Sequence, residues 1–329
     1  MTRIAILDDY NHVALKMADW SGLQRKCRID VIDSPLTIPS EAAKVLKPYD
    51  VLCHLRERTA MPRTLIENLP NLKMMAITGN YHRTMDMDAV RDHNIVVSCS
   101  SKPPPDSIIG QGTPELTFGL ILACIRHIAF EDSRMRNGHW QSTIGTCLHG
   151  RTIGIIGLGK IGQRVAHIAK AFGMSVIAWS PNLTIERAAA AGVTRVDKAE
   201  LLSKADIVSL HIVLGEKTYG IIGADDLKLM KPTATIINTA RGHLIDEAAL
   251  QEALTNNKIA AAGVDVYWSE PLASDHWIRS LANVVITPHL GYVVDETFRI
   301  FYRDTVENIE AWLDGRPVRV VSGSNQVTP

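Results

Sequence analysis

The stretch TIGIIGLGKIGQRVAHIAKAFG, residues 152–173, constrains this chain more than any other. It sets Gly157, Gly159 and Gly162 in G-x-G-x-x-G spacing. An apolar strand precedes the glycines, and a helix follows with Ile161, Val165, Ile168, Ala169 and Phe172 on one face. Alone, the spacing is a weak signal; between a strand and a helix it predicts a turn that cradles phosphate. The first glycine permits the tight turn, the second lets backbone approach a pyrophosphate, and the third lets helix pack on strand. The helix start then offers amide donors and the positive end of its dipole. A dinucleotide is the expected ligand, with Lys160 and Ile161 beside the glycines.

A parallel α/β fold follows from what surrounds this turn. Strand-like runs RIAILD (3–8), RIDVID (28–33), DVLCHL (50–55), LKMMAIT (72–78) and IVVSC (95–99) alternate with helical stretches over the first hundred residues. A second series, TIGIIG, SVIAW, DIVSLHI, ATIINTA, AAGVDVY and NVVITP, runs from 152 to 288. Strands separated by helices pair in parallel and are covered on both faces. The proline-rich SKPPPDSIIGQG (101–112) reads as a linker. After it, residues 113–137 read as one long helix capped by Thr113, apolar enough in its middle to be buried between domains or subunits. Asp197-x-x-Glu200 predicts a capping box, and Asp246 a further helix start.

Composition removes several function classes. Lys plus Arg and Asp plus Glu both number 35, so no overall positive field favours nucleic acid or an anionic membrane. No apolar run reaches the length of a membrane span, and MTRIAILDDY carries acids where a signal peptide would stay apolar, so the expected location is the cytoplasm. Five scattered cysteines without a C-x-x-C pair offer no metal or redox motif.

In open α/β sheets ligands sit beyond the carboxyl ends of strands. Three polar side chains occupy such places in the second series: Arg241 after IINTA, Glu270 after VDVYWS and His289 in ITPHLGY. Together TIGIIGLGKIG, NTARGHLIDEAAL, GVDVYWSEPL and TPHLGY resemble the signatures of the D-isomer-specific 2-hydroxyacid dehydrogenases. The resemblance is dense from about 104 to 292 and covers the chain in element order. It implies two doubly wound parallel-sheet domains: a flavodoxin-like substrate domain (1–103 and 293–329) and an inserted Rossmann cofactor domain (104–292). It also implies a homodimer formed through the cofactor domain and an active site in the cleft.

The implied chemistry suits these residue types. Reduction of a 2-keto acid needs a hydride at C2 and a proton at the new oxygen; His289 would donate the proton and Glu270 would orient and charge-stabilise its ring. Arg241 offers a planar fork to the substrate carboxylate. Asp265 matches the position that contacts the nicotinamide carboxamide, and Thr239 and Ala240 flank the cofactor. The substrate loop is expected at Gly79 and Asn80, where Tyr81, His82 and Arg83 make ITGNYHRTMDMD bulkier than the family's glycine-rich loop. Arg56 and Arg58 in HLRERT point to a second polar or anionic substrate group, and Trp140 and Tyr292 are candidate pocket residues.

The second strand departs from the NAD pattern. SVIAW runs into Ser180, Pro181 and Asn182, and Ser180, eighteen residues after Gly162, stands where a ribose-binding acid is usual. Without that acid nothing repels a 2′-phosphate, and Ser180, Asn182 and Thr184 can donate to it, with Arg187 the nearest arginine. NADP(H) is the expected cofactor, with NAD(H) as the alternative. A dinucleotide-sensing binding protein, like the corepressors on this fold, is the competing function. The formate branch is a third class, but it pairs its histidine with glutamine, whereas residue 270 is Glu.

Overall fold

The computed structural model describes residues 1–79, 81–101 and 110–321. The chain divides into two units, Met1–Ser107 with Val294–Pro329, and Ile108–Val293.

The first unit is built on five parallel strands: β1 (Thr2–Leu7), β2 (Cys27–Ile32), β3 (Val51–His54), β4 (Met74–Ile77) and β5 (Val96–Cys99). Their order is β2-β1-β3-β4-β5. Every residue of β3 and β4 is buried, as a sheet covered on both faces requires. Leu52, Met75 and Val97 share a core with the helices Pro39–Leu46, Arg63–Ile66 and Met87–Asp92. The helix Asp295–Leu313 packs on β4 and β5. Its fully buried Asp304 accepts from the amide and hydroxyl of Ser101 at 2.8 and 2.6 Å, joining the two chain segments of this unit. Residue Val320 then bridges Ser98 antiparallel and shields the β5 edge.

The second unit holds β6 (Thr152–Ile156), β7 (Ser175–Trp179), β8 (Thr194–Arg195), β9 (Ile207–Leu210), β10 (Thr235–Asn238), β11 (Ala261–Val264) and β12 (Val284–Ile286). All pair in parallel in the order β12-β11-β10-β9-β6-β7-β8. The order reverses between β6 and β9, which is where a ligand crevice opens in such sheets.

Three local expectations are corrected. The long helix over 113–137 is two helices, Gly112–Ile125 and Ile128–Arg136, bent by 63° where His127 takes a left-handed conformation (φ 54°). The first packs on β10, β11 and β12, while the second buries none of its residues. Thr113 caps nothing; its hydroxyl donates to the Gly291 carbonyl at 2.7 Å. Asp197 does sit at a helix start, but without a capping bond; its carboxylate lies 3.8 Å from the Arg195 guanidinium. Asp246 caps as expected, accepting from Ala249 N at 2.8 Å. Among the described residues no single helix is long and apolar enough to cross a membrane.

Candidate functional site

The glycine turn joins β6 to the helix Lys160–Ala171. Gly157 has φ +100°, and a Cβ there would lie 2.6 Å from Ile212 N, so only glycine fits. A Cβ at Gly162 would strike the Gly157 carbonyl. Gly159 is different: nothing lies within 4 Å of where its Cβ would be. The turn is therefore closed toward the protein and open at its middle glycine. No side chain caps the helix start, which leaves its first-turn amides for an anion. These features fit a dinucleotide pyrophosphate.

The loop after β7 carries no carboxylate from 179 to 185. Ser180 O accepts from Leu183 N at 3.1 Å, and Arg187 donates to the Asn182 carbonyl at 3.0 Å. Thr184 caps the short helix Ile185–Ala190, accepting from Arg187 N at 3.2 Å. The short strand β8 brings a second arginine here: Arg195 Nε donates to the Leu183 carbonyl at 2.9 Å.

Arg241, Glu270 and His289 lie on the turns that follow β10, β11 and β12. His289 Nδ1 is 2.6 Å from Glu270 Oε2, with both side chains about a third exposed (27% and 35%). The other Glu270 oxygen accepts from Tyr267 N at 2.9 Å. Burial pushes the Glu270 carboxyl up, but the His289 bond and charge, the Tyr267 amide and Arg241 outweigh it and hold the group below its ordinary value. Glu270 is thus an anion at neutral pH, bonded to the imidazole and within the field of the Arg241 guanidinium. His289 itself adopts φ 56°, and Tyr292 lies edge-on to its ring at 5.7 Å.

Several further contacts shape these turns, among them bonds of Asp265 and Thr239, which the sequence reading expected at the cofactor. Asn238 brackets the Arg241 turn, donating to the Arg241 carbonyl at 2.9 Å and accepting from Ala240 N at 3.0 Å. Asp265 is fully buried and holds the backbone around His289: it accepts from Thr287 Oγ1 (2.6 Å), Leu290 N (2.7 Å) and Gly291 N (2.9 Å). Burial pushes its carboxyl above the ordinary value against those bonds and the His289 charge. The Tyr267 hydroxyl donates to the Thr287 carbonyl at 2.9 Å. The Thr239 hydroxyl is engaged with that of Thr117 at 3.0 Å.

In the first unit Arg56 (φ 59°) takes Thr78 Oγ1 on its amide at 2.7 Å. Its guanidinium lies where a Cβ on Gly79 would be, and Gly79 has φ +88°. Asn80 lies outside the described residues. Arg58 is committed, donating to the Asp8 carbonyl at 3.0 Å and stacking over Tyr10 at 4.8 Å. In the same unit the rings of His54 and His82 meet edge to face at 5.2 Å, 2% and 7% exposed. Trp140 is 76% exposed and lines a groove of about 870 Å³ with Ile128, Met135 and Ile144. Among the described residues no group of three or more His, Cys, Asp or Glu could hold a metal ion.

Comparison with known proteins gives the family. Residues 118–291 match the family model for the NAD binding domain of D-isomer specific 2-hydroxyacid dehydrogenases. A D-3-phosphoglycerate dehydrogenase of Methanocaldococcus jannaschii is 37% identical over 318 residues, 96% of this chain and 58% of that protein. The chain thus spans little more than half the length of that relative. A hydroxypyruvate reductase of Blautia hydrogenotrophica is 31% identical and matches end to end, over 97% of this chain and 99% of its own. The crystal structure of a phosphoglycerate oxidoreductase from Vibrio cholerae superposes with a TM-score of 0.88 at 34% identity, covering 95% of this chain and 99% of that one. By that family model and these relatives, the chain belongs to the D-isomer specific 2-hydroxyacid dehydrogenase family and contains its NAD binding domain.

Proposed function

We propose that this protein is an NAD(P)-dependent D-2-hydroxyacid dehydrogenase working as a reductase of small 2-keto acids. The 2.6 Å bond between His289 Nδ1 and an ionised Glu270 carries the reading. With Nδ1 committed to Glu270, Nε2 is the nitrogen left to exchange a proton with the substrate oxygen. The Glu270 carboxylate orients the ring, and the protonated ring is the form that donates to the new oxygen. Arg241 binds the substrate carboxylate through its fork and polarises the keto oxygen. A bound nicotinamide supplies the hydride. The turn at Gly157, Gly159, Lys160, Ile161 and Gly162 holds its pyrophosphate.

The cofactor favoured is NADP(H). Ser180 and Asn182 stand where an acid would repel the 2′-phosphate, and Arg187 is anchored on the Asn182 carbonyl at 3.0 Å. Arg56, turned onto Gly79, suits a substrate with a second anionic group. A second copy of the chain covers the helix Ile128–Arg136, whose Ile128, Phe130 and Met135 are each more than 40% exposed. The deciding experiment is a panel of 2-keto acids, with and without a second anionic group, assayed with NADH and NADPH. Turnover supports the reading. Tight nucleotide binding without turnover of any 2-keto acid would leave a sensor instead.

A further inference from the structure

The proton pair and the carboxylate fork come from different strand ends, so something must hold their register. Misplacement by about 1 Å costs on the order of a hundredfold in rate. The turns after β11 and β12 are laced by Asp265 and Tyr267, as described above. The turn after β10, which carries Arg241, is tied separately. Its Gly242 backbone presses on the 267–268 peptide; a Cβ there would lie 2.7 Å from Trp268 N. The Trp268 indole then donates to the Ile245 carbonyl at 2.8 Å. Two residues on, one oxygen of Glu247 accepts from His276 Nε2 at 2.9 Å and from Trp277 Nε1 at 3.0 Å. His276 Nδ1 accepts from Ile278 N at 3.3 Å, which leaves Nε2 as the protonated nitrogen of a neutral ring. The His276 ring lies parallel to that of Trp268, 8° between planes, at 6.1 Å. Segment 245–247 is thus bonded at two points to the excursion 268–278, and the neighbour of Trp268, Tyr267, holds Glu270 through its amide.

We infer that Trp268 is a positioning residue: its indole N–H on the Ile245 carbonyl fixes the Arg241 turn against the Glu270 turn, so that carboxylate binding and proton transfer act on one substrate molecule. The inference rests on the reductase reading above. It predicts an effect on substrate terms alone, because the glycine turn and the loop after β7 carry no bond of this bracket.

The test uses the full chain with Trp268→Phe, which keeps a ring and removes the donor. Expected is a fall in kcat/KM of about tenfold, mostly in kcat, from a misplacement well under 1 Å. The Kd for the reduced nucleotide, read by fluorescence, should stay within about twofold of the parent. Trp268→Phe combined with Arg241→Lys should cost less than the product of the two single effects, since groups acting through one contact are not additive. Glu247→Gln, at the other end of the bracket, should lower kcat in the same direction by a smaller factor and provides a second reading if Trp268→Phe folds poorly. An active parent beside a Trp268→Phe variant of unchanged kcat/KM overturns this role alone, as does full multiplicativity with Arg241→Lys. A parent that reduces no 2-keto acid overturns the reductase reading, and this role falls with it.

Discussion

Both sheets end in polar side chains at the carboxyl ends of their strands, yet the two sets are prepared for opposite behaviour. In the second unit Glu270 and His289 keep about a third of their surface exposed and pair at 2.6 Å. In the first unit His54, His82 and Asp8 are 2%, 7% and 1% exposed. Burial pushes His82 down to about 4 and His54 well below its ordinary value. Burial likewise lifts the Asp8 carboxyl, against its bonds to Thr59 and Tyr10 and the charge of Arg58. One end keeps a carboxylate charged beside a part-exposed imidazole; the other keeps its histidines neutral. Sheet topology says where ligands meet the fold, and depth of burial says which chemistry each place can carry.

The largest effect that tests this contrast is on turnover. His289→Ala should lower kcat by about 100- to 10,000-fold with nucleotide affinity unchanged. His82→Ala should cost stability, about 2 kcal/mol for a buried truncation, and only a few-fold in kcat. Equal losses of kcat from the two variants would erase the distinction.

Arg241→Lys keeps charge but not the fork, and KM should rise by about ten- to a hundredfold, the worth of a charge-assisted bond. An unchanged KM would take Arg241 out of carboxylate binding. Within the same unit, Ser180→Asp should lower the NADPH-over-NADH ratio of kcat/KM by at least about tenfold, mainly through KM. A parent already strongly selective for NADH would defeat the NADP assignment.

The smallest effect is in acid stability, and it separates the two ends by pH. His82 has a folded value near 4 against an ordinary 6.5, so the unfolded chain binds more protons between them. Its neutral burial therefore weakens the fold as pH falls from about 6.5 toward 4. Glu270 has the same sign in a more acidic window: its folded value is depressed, so its contribution is intact above the ordinary carboxyl value and is lost as pH falls through the lower folded one. Scanning Tm against pH, His82→Gln should flatten the loss that begins near pH 6.5. The Tm gap between the parent and Glu270→Gln should close only below about pH 4. A gap already closing at pH 6 would contradict the depressed Glu270 value.

Much of this was readable before any coordinates. The strands declared themselves because apolar runs bounded by turn residues have a physical period, and β3, β4, β7 and β10 lie inside the stretches read from sequence. Arg241, Glu270 and His289 were legible because each follows a strand in an ordered motif. The helix break at His127 was not, because no Pro or Gly marks it; the apolar pattern alone does not say that Ile128 and Phe130 leave the sheet. Asp197 misled because a capping box is a local pattern that does not say which way an exposed carboxylate turns. The roles of Asp265 and Trp268 were hidden for a related reason. Their partners at 287–291 and 245 are set by which strands become neighbours, and no local spacing encodes that.

The bond from Thr113 to Gly291 has a consequence for folding. It closes the second unit on itself across 178 residues of sequence. The first unit needs the helix Asp295–Leu313 and Val320 from beyond that stretch to cover β4 and bridge β5. Were the intervening chain unfolded, joining these parts would mean closing a very long loop. Once the second unit has folded, its entry and exit are side by side, and the search shortens to a few residues on each flank. At about 0.6 kcal/mol per halving of loop length, reducing 178 residues to about ten recovers roughly 2.5 kcal/mol of closure entropy. The inserted unit thus serves as a clasp that lets its two flanking segments meet, and the β5 edge stays uncovered until they do.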